Sequence, residues 1–435
     1  MIQLLQFVGA LSLMVILHEM GHYIAARIFG VRVEKFYLFF NPGFTLFKYT
    51  SKKSGTEYGI GWLPFGGYVK LSGMIDESLD TQQMQKEPAP YEFRAKPAWQ
   101  RLIIMAGGVF MNFLTAVIVY AMLLFAYGKE YVALDDAKYG MAFSEVAQKH
   151  GFVDGDKLLM ADGVKLESLD YESMKKIFDA SEVTVLRGVD TVQIPVNESL
   201  KLDLVAEQTG FASFRCPFVV KEVMDMSPAK LAGLQTGDSV VAMNGIVVPT
   251  HQDANAVLKS NKLTPITIEY VREGKLCTTT ATPDSAGMLG VYLTPYFEML
   301  PITKIEYGFF ESFPLGLVEG SKMFTGYADD LKIVFTPEGA SSIGGFGSLA
   351  GLFPDAFSAQ YFWTIIAYLS VVLAFMNLLP IPGLDGGHIL FLLIECIRRK
   401  PLSQKFMVNA QIVGMILLFA LLIYANGMDL FRWLK

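Results

Sequence analysis

Histidine, cysteine and charge are all scarce in this sequence of 435 residues, which has five histidines, three cysteines and 18% charged residues against 52% hydrophobic ones. Lysine and arginine are outnumbered, 36 to 42, for a net charge of −6. An acidic balance gives no electrostatic support for nucleic-acid binding, so no nucleic-acid partner is expected. So few cysteines say little. Cys216 and Cys277 share one polar section and could pair, free buried thiols are the equal alternative, and Cys396 lies elsewhere. A basic n-region is also missing at the amino terminus, and a polar group stands where a cleavage site would fall, so the first segment does not read as a cleaved signal peptide.

What is present is long apolar sequence. Four runs, at about 3–28, 101–127, 361–379 and 406–425, approach the ~20 residues a helix needs to cross a bilayer. "HILFLLIECI" at 388–397 is too short to span and ends in Arg398-Arg399-Lys400. Ten Lys and Arg lie between Val31 and Arg101 and four more in 398–405, on the two connections that share one side. The section 128–360 carries 19 Lys and Arg against 31 Asp and Glu, a net charge of −12. Basic connections stay in the cytoplasm, which puts both termini and 128–360 outside it.

Two of the five histidines fall in one motif. "HEMGH" sets His18 and His22 four apart, on one face of a helix and able to share one ion, with Glu19 beside them. Zinc bound there lowers the pKa of water to about 7, and a carboxylate such as Glu19 can take and return the proton. The alternative is a chance match in a helix whose polar groups are satisfied otherwise, but ionisable groups inside an apolar span are expensive without a use. A catalytic zinc wants a third protein ligand. Glu34 and Glu57 lie in the basic loop at spacings that do not recommend them.

The better candidate ends the third span, "FMNLLPIPGLDGGHIL" at 375–390. Pro380 and Pro382 break the helix, Gly386 and Gly387 permit tight turns, and Asp385 sits in the break. By itself this reads as a turn with Asp385 capping the next helix. The first span reaches the same face at a similar depth from the opposite chain direction, which favours Asp385 as third ligand over its rival His388.

With these motifs in place the chain resembles the site-2 proteases, zinc metalloproteases that cut within membranes, and in particular their bacterial RseP-like branch. The resemblance rests on "HEMGH", "TEYGIGWLPFGGYVKLSG", "FRAKPAWQRLIIMAGGVFMNF" and "NLLPIPGLDGG", in that order. It implies that His18, His22 and Asp385 bind Zn2+ and that Glu19 is the catalytic acid/base. It implies that Asn377 and the Pro380–Pro382 region touch an unwound substrate, and that 59–74, with Gly66 and Gly67 at its turn, forms a membrane-associated β-hairpin element. A strand edge near the metal could hold a substrate extended by β-addition. A plain amphipathic hairpin on the membrane surface is the alternative.

The polar section contains a repeat. "HGFVDGDKLLMADG" at 150–163 aligns with "AGLQTGDSVVAMNG" at 232–245, sharing Gly151/Gly233, Gly155/Gly237, Asp156/Asp238 and Gly163/Gly245. "SPAKLAGLQTGDSVVAMNG" resembles the core of a PDZ domain, and two copies suggest tandem domains that either bind peptide ends or filter substrates by size. The expected fold is therefore a multi-pass α-helical membrane protein with four transmembrane helices, a membrane-associated β-hairpin element and two exported α/β PDZ-like domains. Its parts are 1–128 with the first two helices, PDZ-like domains at 130–208 and 211–295, a membrane-surface segment at 300–355, and 356–435 with the last two helices. The expected activity is that of an intramembrane zinc endopeptidase of the bacterial inner membrane. Its partners would be the lipid bilayer and single-span membrane proteins, such as a trimmed anti-sigma factor or a remnant signal peptide. A PDZ-bearing membrane scaffold without activity is the runner-up, and a transporter is disfavoured because no inverted repeat is visible among the spans.

Overall fold

Apolar sequence decides the longest elements. The computed structural model describes residues 2–74, 87–334, 336, 339 and 343–434. The chain divides into two units, Lys129–Ile305 and a second formed by Met1–Gly128 with Glu306–Lys435.

The second unit begins with α1 (Ile2–Ile28), four strands, β1 (Val33–Phe40), β2 (Phe47–Thr50), β3 (Glu57–Ile60) and β4 (Leu63–Leu71), and α2 (Ala98–Tyr127). The two helices touch backbone to backbone. A Cβ on Gly21 would stand 2.1 Å from the Gly107 carbonyl oxygen, and one on Gly107 would stand 2.6 Å from that of Gly21. The strands form one sheet in the order β2-β3-β1-β4. This corrects the expected hairpin at 59–74. β3 and β4 do not pair with each other, because β1 lies between them, parallel to β3 and antiparallel to β4. The two-residue connection at 61–62 instead carries the chain across the end of β1, where Gly61 sits against the Phe40 carbonyl. β4 is left as the edge strand beside α1.

Lys129–Ile305 holds two cores. The first uses β5 (Lys129–Val132), β6 (Met141–Phe143), α3 (Glu145–Lys149), β7 (Lys157–Ala161), β8 (Val164–Lys165), α4 (Tyr171–Asp179), β9 (Glu182–Arg187), β10 (Asp190–Pro195), α5 (Glu198–Ala206) and β11 (Ala212–Phe214). The second uses β12 (Phe218–Val223), α6 (Pro228–Leu231), β13 (Ser239–Met243), β14 (Ile246–Val247), α7 (His251–Ser260), β15 (Ile266–Arg272), β16 (Lys275–Ala281) and β17 (Val291–Leu293). After α8 (Tyr296–Met299), β18 (Ile302–Ile305) returns to pair with β5. The repeat has a physical basis. Asp156 and Asp238 are both fully buried, and each accepts a two-pronged bond from an arginine, Arg187 and Arg272, at 2.7–2.8 Å. The same guanidinium donates to the carbonyl of the first frame glycine, Gly151 or Gly233. The boundary between the cores falls later than expected. β11 pairs with β6, and Phe211, Phe214 and Cys216 are buried in the first core, so the second opens at Phe218. The cysteines are free, Cys216 buried and Cys277 half-buried.

The chain then forms α9 (Phe309–Val334), α10 (Phe346–Gly351), α11 (Ala359–Leu378), α12 (Asp385–Arg398) and α13 (Gln404–Leu434). α9 differs from the expected surface segment, for it packs lengthwise on α2. Phe309 meets Phe125 and Phe324 meets Phe113, while Gly316 and Gly320 lie against Ala121 and Val117. Small residues four apart let two helices approach closely, and here they turn a charged, aromatic segment into a packed one. α10 is capped by α13, where Asp429 accepts from the Gly345 and Ser348 amides and Asn426 from Phe346. Among the described residues four helices are long and apolar enough to cross a membrane, Ile2–Ile28, Ala98–Tyr127, Ala359–Leu378 and Lys405–Leu434. α12 has 14 residues and is too short.

Candidate metal centre

α1 carries His18, Glu19 and His22 on adjacent positions of one turn and a half. α11 ends at Leu378, the turn through Pro380 and Pro382 reverses the chain, and Asp385 opens α12. These two distant stretches converge. His18 Nε2 and His22 Nε2 are 3.3 Å apart, and each is 3.2 Å from Asp385 Oδ2. The three side chains form the one such cluster of potential metal ligands among the described residues.

One stripe of α2 backs both histidine rings. Ile104 offers its carbonyl oxygen 2.9 Å from His22 Nδ1. A carbonyl only accepts, so Nδ1 carries the proton and Nε2 points its lone pair at the cluster. The Asn112 side chain lies 3.1 Å from His18 Nδ1. Between them Gly108 leaves room for the rings, since a Cβ there would stand 2.4 Å from His22 Nε2 and 2.5 Å from His18 Cε1. Glu19 lies against the triad and faces the Val69 backbone of β4.

The donor set suits zinc. Asp385 Oδ2 is buried without a hydrogen-bond partner among the described residues. A proton on one imidazole would satisfy one of the three close pairs, whereas a cation satisfies all three. A tetrahedral ion about 2.0 Å from each ligand atom spaces those atoms about 3.3 Å apart, which is the spacing found.

Other residues of sequence interest sit elsewhere. His388 turns toward Gln411 of α13. Glu34 accepts from Ser72, and Glu57 from Tyr37. Asn377 is the penultimate residue of α11, and Pro380 and Pro382 lie on the turn that delivers Asp385, outside the triad. Gly66 and Gly67 lie in β4, where a Cβ on Gly67 would meet Val15 of α1 at 2.7 Å and the Tyr37 carbonyl at 2.6 Å. Ile104, Gly108 and Asn112 were not singled out from the sequence. Their signal was a polar Asn and a Gly pair inside an apolar span.

Known proteins resemble this chain along nearly its whole length. The profile of peptidase family M50 matches residues 6–421. Protease RseP of Yersinia pestis is 30% identical, covering 98% of this chain and 97% of its own. The Regulator of sigma E protease of Haemophilus influenzae is 26% identical over 98% of both chains. A Vibrio cholerae relative whose name describes a zinc metalloprotease is 28% identical over 98% of both. A solved PDZ domain from Listeria monocytogenes matches 19% of this chain at 23% identity with a TM-score of 0.16, too low to bear on the fold. The chain belongs to peptidase family M50 and is a zinc metalloprotease of the site-2 type.

Proposed function

We propose that this protein cuts the membrane-spanning segments of single-span proteins, and that His18, His22 and Asp385 hold its zinc. The observation that carries the reading is the convergence of three lone-pair atoms, 3.2–3.3 Å apart, two on α1, a helix apolar enough to lie in a bilayer, and one on the turn that follows α11, another such helix. When bound, zinc makes water a competent nucleophile at neutral pH. Glu19 takes the proton of the attacking water on its carboxylate and returns it to the leaving amine. A substrate helix hides its carbonyls in its own hydrogen bonds and must unwind before attack. β4, an edge strand whose Val69 faces Glu19, offers backbone groups that hold the unwound segment extended. Gly66 and Gly67 keep that strand close to α1, and Asn377, Pro380 and Pro382 line the path on the Asp385 side.

The substrates we infer are proteins already trimmed outside the membrane, an anti-sigma factor or a remnant signal peptide among them. Relatives named for the regulation of sigma E support the anti-sigma factor among these. The protein would sit in a bacterial inner membrane, with Lys129–Ile305 outside the cytoplasm and its two cores acting as PDZ-like domains that bind peptide ends or filter substrates by size. Cleavage of a trimmed single-span reporter by the wild type and by Glu19→Gln, at matched expression, tests the reading. The variant should cleave about 10²–10⁴-fold more slowly. Equal cleavage by both would remove Glu19 from the chemistry.

A further inference from the structure

We propose that Asn112 is a positioning residue for His18, accepting the Nδ1–H bond through its side-chain oxygen and so fixing Nε2 as the nitrogen that faces the metal. The inference rests on the zinc-site reading above and deepens it. α2 presents one stripe to the histidines, Ile104, Gly108 and Asn112, each four residues from the next. The first gives His22 a backbone acceptor at 2.9 Å, and the second gives both rings their space. Asn112 occupies the equivalent place for His18, 3.1 Å from Nδ1 and 1% exposed.

Which end of the amide faces the ring decides the chemistry. As placed, the nitrogen is the nearer atom. A donating amide would make Nδ1 the lone pair and put the proton on Nε2. That proton would point at His22 Nε2 and Asp385 Oδ2, both within 3.3 Å, and would remove a ligand. The amide is nearly symmetric in shape, so a flip exchanges oxygen for nitrogen with little change in packing. Only the flipped form lets all three donor atoms face one ion. Among the described residues His18 is the only titratable group bonded to the buried Asn112 side chain, and the ring's tautomer follows from the end that side chain presents.

The test uses the full chain in detergent, as wild type, Asn112→Leu, Asn112→Ala and Asn112→Asp, with zinc affinity read by competition against a chelator. Helical content and hydrogen exchange in α1 and α2 establish that each variant is folded, and the two apolar variants guard against misfolding of either. Leu and Ala remove the acceptor and should weaken zinc binding about 10–100-fold. Asp keeps an acceptor at the same reach and should stay near the wild type. Wild-type affinity in the Leu or Ala variant would overturn the proposal, and so would an Asp variant as weak as they are, since packing alone would then explain the loss. A wild type that binds no zinc would overturn the zinc site itself together with this inference.

Discussion

Glycine 108 shows how a residue with no chemistry of its own can decide whether chemistry happens. The two imidazoles lie where its side chain would be, within 2.4–2.5 Å of a Cβ. Gly108→Ala should therefore displace both rings and weaken zinc by about tenfold or more, with α1 and α2 still folded, as metal content and hydrogen exchange would report. Retained zinc would mean that the rings have slack. The three clustered residues were legible in the sequence because their types and spacing are rare in apolar surroundings, two histidines four apart and an aspartate between helix breakers. Gly21 lies inside the same motif, and its reason is contact with Gly107 on α2, a helix distant in sequence. Spacing along a chain carries face and turn, and says nothing of what a face meets.

At the scale of elements the repeated Gly-Asp frame was visible before its function was. The frame aspartates are buried anchors, each held by an arginine that follows by 31 or 34 residues. Burial alone would raise the Asp238 carboxyl, but the Arg272 fork and the Gln235 N–H overcome it and hold the group below the usual aspartate range. Its stabilising contribution is complete above the unfolded value and is lost as pH falls through the lower folded one, a window below about pH 4. Arg272→Ala leaves the buried carboxylate short of partners and should destabilise the second core by about 1–3 kcal/mol. Hydrogen exchange across β12, β13 and β15 reads that loss, and Asp238→Asn should flatten the acid dependence. Unchanged protection in Arg272→Ala would show that the backbone N–H suffices. The sheet and α9 were the elements read least well. From the sequence only 59–74 read as β structure and 300–355 as a surface segment, and β1 intervening between β3 and β4 is a matter of long-range pairing. The Gly316–Gly320 pair lay hidden in an aromatic-rich tract that suggested a membrane surface.

Across the whole molecule, the site exists only because the first and last thirds of the chain fold against α2. His18 and His22 come from α1 and Asp385 from α12, and more than 360 residues separate them. The spans were legible from hydropathy, and their number agrees with the helices found, though the fourth runs on past 425 to Leu434. The meeting of the half-sites followed from matching depth and direction, whereas the layer from α2 that orients the rings did not, since one Asn and one Gly in an apolar run have many uses. The measurement to make is X-ray absorption at the zinc edge on the purified full chain and on Asp385→Ala. The wild type should show two imidazole nitrogens and a protein oxygen at about 2.0 Å, with no sulfur, and the variant should lose that oxygen ligand or the metal altogether. Sulfur in the wild-type shell, or an unchanged shell in Asp385→Ala, would place the zinc outside the cluster formed by His18, His22 and Asp385.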